Sequence, residues 1–121
     1  MEITTRYHGP VAVLRLDGKL THGEGDAKLR GAVLDVLDEG YDKILIDMGG
    51  VRRVDSSGLG ELLRCRTTCQ RYHADLKLLR LDPSIYTLMT VSKLVGVFDI
   101  YDSEAEALPS FWSDRSSGPG H

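Results

Sequence analysis

A chain of 121 residues is long enough for one domain with a real core. With 41% hydrophobic and 27% charged residues it has the composition of a soluble globular protein, and a net charge of −3 advertises neither nucleic acid nor an anionic membrane surface. The longest apolar runs fall far short of the roughly 20 residues that cross a bilayer. No signal pattern precedes the first strand-like stretch, so the expectation is a cytoplasmic protein without membrane insertion.

In chain order, Ile3 to Tyr7 is a short β-rich stretch, punctuated by the turn signal Gly9-Pro10. VAVLRLDG then predicts a second strand from Val11 to Gly18. From about Glu24 the period changes: Leu29, Val33, Val36 and Leu37 fall at helical spacing, with Asp26 near the start and Gly40 at the end. Ile44 to Met48 is a compact apolar run closed by Gly49 and Gly50, which reads as a strand buried on both faces. Leu59, Leu62, Leu63 and Arg66 continue a second helical pattern to about Tyr72. Leu76 to Leu81, alternating with Lys77 and Arg80, predicts another strand. Pro83 opens a helix over Ile85, Leu88, Met89 and Val91. Val97 to Tyr101 is a last short strand, and Ser103 starts a final helix.

The order ββαβαβαβα predicts an α/β fold: one domain over residues 1–110, a four- to five-stranded mixed sheet, and helices packed mainly on one face. Residues 111–121 have turn residues and no periodicity, and are expected to form a flexible C-terminal tail. Cys65 and Cys69 lie four apart on a helix with His73 four further on. A metal site needs more ligands than these, so they read as helix-face thiols in a reducing compartment, with no metal or cofactor.

The stretch Asp55-Ser56-Ser57-Gly58-Leu59-Gly60 sits between a buried strand and a helix. Serines here serve as helix caps or as sites of modification, and Ser57 looks nearer the cap. A helix N-terminus has unpaired N–H groups and a positive dipole that suit an added phosphate. Gly58 and Gly60 would leave the backbone open to a partner. Nucleophilic catalysis would need a base in reach, but His8, His22, His73 and His121 are scattered and G-x-S-x-G is absent. THGEGDAK lacks the third glycine of a dinucleotide fingerprint, no Walker pattern exists, and Glu24 and Asp26 would repel phosphate. The residues therefore point away from an enzyme.

The sequence ILIDMGGVRRVDSSGLGELL, supported by LDGKL, by Leu29-Arg30 and by VFDIYDSEAEAL, resembles the STAS domain, named for sulfate transporters and anti-sigma factor antagonists. The resemblance runs from Val11 to Leu108. It implies a bacterial anti-sigma factor antagonist, in which the serine after the aspartate is phosphorylated by a partner kinase, often the anti-sigma factor itself. By motif that residue is Ser56. The implied partner is an anti-sigma factor with a histidine-kinase-like ATPase domain, which the unmodified antagonist binds to free a sigma factor; a phosphatase would reverse the modification. The expected partner-binding set is Thr21, Glu24, Asp26, Arg53, Asp55, Ser56, Ser57 and Gly58.

Two departures stand out. Many antagonists carry G-E-L-D where this chain has Gly18-Lys19-Leu20-Thr21, although Glu24 and Asp26 follow closely and would restore negative charge. Arg52 and Arg53 read either as a solvated loop or as contacts for an acidic partner or a phosphate. An alternative within the family is a non-switching adaptor subunit of a lipid-transport ABC complex or a signalling assembly. The intact D-S-S-G favours the antagonist.

Overall fold

The structure, a computed structural model, describes the backbone of residues 1–117 and the side chains of residues 1–112. Its elements in chain order are β1 (Glu2–His8), β2 (Val11–Leu20), α1 (Asp26–Asp38), β3 (Lys43–Val54), α2 (Ser56–Arg71), β4 (Asp75–Leu79), α3 (Pro83–Val91), β5 (Asp99–Tyr101) and α4 (Glu104–Ser117). The strands form a 5-stranded sheet in the order β1-β2-β3-β4-β5. β1 runs antiparallel to β2, and every later pairing is parallel.

This order explains where the helices go. From β2 to β5 the sheet grows in one direction, so successive crossovers of the same hand set α1, α2 and α3 on the same face. There the stripes Leu29–Val33–Val36–Leu37, Leu59–Leu62–Cys65–Cys69 and Ile85–Met89 bury against Leu14, Leu16, Ile44, Ile46, Met48 and Leu78. Full burial of each large aliphatic chain stabilises by roughly 2 kcal/mol. The order never reverses, so the sheet has no topological switch point, the place where open α/β folds form a nucleotide crevice.

Among the described residues the opposite face is covered by α4, through Ala107 and Phe111 on Val11, Val13, Leu45 and Leu79. The expected domain end at residue 110 thus falls inside a helix. Phe111 is 1% exposed and belongs to the core, and α4 continues to Ser117. One turn suffices to cover so small an apolar patch, which is why no longer periodicity marks it in the sequence. The rest of the expected tail, residues 118–121, lies outside the described residues.

Two further expectations change. Lys77, read as the polar side of an alternating strand, is 2% exposed. Its Nζ donates to the carbonyl of Ser110 at 3.2 Å and to Ser110 Oγ at 3.1 Å, and lies 5.0 Å from the Phe111 ring centroid. The ammonium is buried because α4 supplies its acceptors. The third strand does not stop at its glycines either. β3 passes through Gly49 and Gly50 to Val54, with register shifts against β2 between Arg15 and Asp17 and between Gly18 and Lys19. A Cβ on Gly50 would stand 2.7 Å from the Leu16 carbonyl oxygen, a backbone atom that cannot swing aside, so the first bulge requires glycine. Both bulges add a residue to β3. They turn Val51 and Val54 toward the core and leave Arg52 and Arg53 exposed on the strand. These arginines are therefore strand residues and not loop residues.

Candidate functional site

The site lies where β2 and β3 end and α1 and α2 begin. α2 starts at Ser56 because Asp55, in extended conformation, caps it: Asp55 Oδ1 accepts the Gly58 N–H at 2.9 Å. Neither serine is the cap, contrary to the expectation for Ser57. Ser56 and Ser57 occupy the first two helical positions, the former exposed and the latter half-buried. Among the described residues Ser56 makes no hydrogen bond, so its hydroxyl points at no base and at no acceptor of its own fold.

Asp55 also reaches across to the neighbouring loop. Its Oδ2 accepts the backbone N–H of His22 at 3.1 Å, and its own N–H donates to the Leu20 carbonyl at 3.4 Å. One carboxylate thus joins the start of α2 to the loop between β2 and α1. The Gly58 N–H first, then the His22 N–H, hold the Asp55 carboxyl below its ordinary pKa by favouring the ionised form. Asp55 thereby satisfies one of the first-turn N–H groups of α2.

The loop is internally fixed. Glu24 and Gly25 N–H groups donate to the Thr21 carbonyl at 3.0 and 3.2 Å, and Asp26 Oδ1 accepts from Gly23 and Ala27 at 3.2 and 2.8 Å. Glu24 Oε2 lies 3.0 Å from the Met1 ammonium, whose hydrogen bond and charge lower the Glu24 pKa. Both acids, expected to restore negative charge beside Thr21, lie in this loop, Glu24 exposed next to Met1 and Asp26 half-buried in the turn.

Gly58 is buried, and its reason is internal. A Cβ there would stand 2.0 Å from the Leu20 carbonyl oxygen, so glycine lets the first turn of α2 lie on the end of β2. It offers no surface to a partner, unlike Gly60, where a Cβ would meet only Arg64 Nη1 at 3.9 Å. Of the expected set, Thr21, Glu24, Asp26 and Ser57 thus share the end of the sheet with Ser56 and its cap Asp55. Arg53 stands exposed on β3, in register with Lys19 of β2.

Sequence reasoning missed His22, whose contribution is its backbone N–H and left no side-chain signal. It also missed Glu61, which is 0% exposed inside α2. Glu61 Oε1 accepts from Arg30 Nη2 at 2.7 Å and from Arg64 Nη1 at 3.3 Å, bracing α1 against α2 behind the site. A charged residue within the apolar stripe between Leu59 and Leu62 was the available signal. Cys65 and Cys69 are buried thiols; burial raises both pKa values, that of Cys69 to about 11. Among the described residues no three His, Cys, Asp or Glu side chains converge to hold a metal, and no helix is long and apolar enough to cross a membrane.

An exposed serine thus stands at the head of a capped helix, at one end of a five-stranded α/β sheet. The STAS domain family matches residues 2–107, and the chain belongs to that family. It is 25% identical over 108 residues to the anti-sigma F factor antagonist of Paenibacillus polymyxa, covering 89% of this chain and 92% of that one. Its fold is similar to an anti-sigma factor antagonist from Mycobacterium paratuberculosis, with a TM-score of 0.78 at 18% identity, over 90% of this chain and 92% of that chain. It is also similar to the Bacillus cell fate determinant SpoIIAA in the phosphorylated form, with a TM-score of 0.69 at 21% identity, over 91% and 99% of the two chains.

Proposed function

We propose that this protein is an anti-sigma factor antagonist that works by binding and not by catalysis. Its unphosphorylated form docks an anti-sigma factor carrying a histidine-kinase-like ATPase domain and so releases a sigma factor. Phosphorylation of Ser56 by that kinase ends the interaction, and a phosphatase restores it. Both proteins act in the cytoplasm.

The observation that carries this reading is Ser56 itself: an exposed hydroxyl without internal partners, on a turn that Asp55 clamps to the neighbouring loop. A kinase can reach such a group without unfolding anything. Ser56 faces solvent at the head of α2, so a phosphate on it would stand on the surface where a docked partner meets it. The name of the Paenibacillus relative and the phosphorylated form of a fold relative support the same assignment.

The test is purification from the host under phosphatase inhibition, with intact mass and identification of co-purifying proteins. Phosphate on Ser56 and a kinase-like ATPase are expected. An ABC-transporter ATPase with no phosphate would overturn the antagonist in favour of the adaptor.

A further inference from the structure

A second surface lies away from Ser56, at the far edge of the sheet. An open groove of about 640 Å³ runs between α3 and β5, lined by Leu81, Pro83, Tyr86, Val95, Phe98 and Ile100, with Thr87 of α3 beside them and Asp102 as its one charged lining residue. β5 is an edge strand. Its ladder with β4 brackets Ile100: Tyr101 lies opposite Leu79 and accepts from the Arg80 N–H at 2.8 Å, while Asp99 lies opposite Lys77. Peptide groups alternate in direction along a strand, so the N–H and C=O of Ile100 face outward, beside the groove.

An unpaired peptide group next to a lined apolar channel is the arrangement that accepts an added strand. Charge narrows the occupant. Asp102 is exposed and makes no ion pair or hydrogen bond among the described residues, and no basic side chain lines the groove. The geometry points to a docking site for an extended peptide segment of a partner, with alternating apolar side chains in the groove and a lysine or arginine opposite Asp102. This is independent of phosphorylation at Ser56.

The experiment uses the full chain, labelled with nitrogen-15, titrated with the capped hexapeptide Val-Thr-Val-Thr-Lys-Thr, which sets its lysine on the same face as its valines, and with the counterpart that has glutamate in place of the lysine. The lysine peptide should shift the amides of Thr87, Val95, Ile100 and Asp102, and the glutamate peptide should not. Asp102→Lys should weaken the lysine peptide about five- to tenfold, the scale of reversing one exposed charge. Thr87→Arg, on the exposed face of α3, should block both peptides while leaving the thermal melt unchanged. No shifts at millimolar peptide, equal response to both peptides, or shifts confined to residues 20–26 and 52–57 would overturn the site. So would concentration-dependent shifts without peptide accompanied by dimer in sedimentation, which would assign the groove to a second copy.

Discussion

Gly58 and Leu20 approach so closely that a Cβ on Gly58 would lie 2.0 Å from the Leu20 carbonyl oxygen. Alanine in a helix is normally better than glycine by about 1 kcal/mol, but here the clash is with backbone and cannot rotate away. Gly58→Ala is therefore expected to destabilise the domain by about 2 kcal/mol, in the range of overpacked cores. Gly60→Ala, two residues on with open space around its Cβ, should stabilise by up to about 1 kcal/mol. Urea melts of the two variants check the pair. The same sign for both would mean that the approach of α2 to β2 is not as tight as described.

The clamp made by Asp55 has a pH signature. Its folded pKa is depressed by the Gly58 and His22 N–H donors. Its contribution is therefore complete above the unfolded carboxylate value of about 4 and is lost as pH falls through the lower folded value. Asp55→Ala should lower the melting temperature at pH 7, and its effect should shrink as pH falls below about 4 toward the folded value. Titration of this group should add no pH dependence to partner binding between pH 5 and 8. A destabilisation by Asp55→Ala that nowhere shrinks as the pH is lowered below about 4 would show that the charge is not what holds the loop.

Phe111 anchors α4 on the second face of the sheet with 1% of its surface exposed. Phe111→Ala removes the largest side chain of that small cluster and should cost about 3–4 kcal/mol. A chain ending at residue 110 should lose comparable stability, whereas one ending at residue 117 should melt like the full protein. Differential scanning calorimetry distinguishes the three. A stable 110-residue fragment would return α4's last turns to the status of a tail.

What the sequence made legible follows from how the information is carried. The helix and strand order is written in apolar spacing, and stripes such as Leu29–Val33–Val36–Leu37 are read directly because burial imposes the helical period. The position of Ser56 at a helix start was legible for the same reason. Its cap was not, since Asp55, Ser56 and Ser57 are all good caps and only the backbone at Asp55 selects among them. β3 was read short because glycine usually ends a strand, while Gly50 here relieves a bulge against the Leu16 carbonyl. The burial of Lys77 depends on an acceptor 33 residues away in α4, a relation that no local pattern encodes.

The last prediction concerns Ser56: phosphorylation should abolish docking and leave the domain folded. The hydroxyl is exposed and makes no contact whose loss would unsettle α2, and the cap on that helix is Asp55, which the modification does not touch. Melting temperatures of the two forms should therefore agree closely. A phosphate adds about −1.5 to −2 charges at pH 7. Two like charges about 4 Å apart repel by about 4 kcal/mol at an effective dielectric near 20. Screening at a wet interface halves this to about 2 kcal/mol, which weakens affinity roughly 30-fold, since each 1.4 kcal/mol is tenfold. Ser56→Asp, with a single charge and a shorter reach, should give a smaller loss, and Ser56→Ala should bind normally but ignore the kinase. Calorimetric titration of the phosphorylated, unmodified, Ser56→Asp and Ser56→Ala proteins against the purified anti-sigma factor measures the series. Equal affinities for the phosphorylated and unmodified forms would reduce Ser56 to an ordinary first residue of a helix.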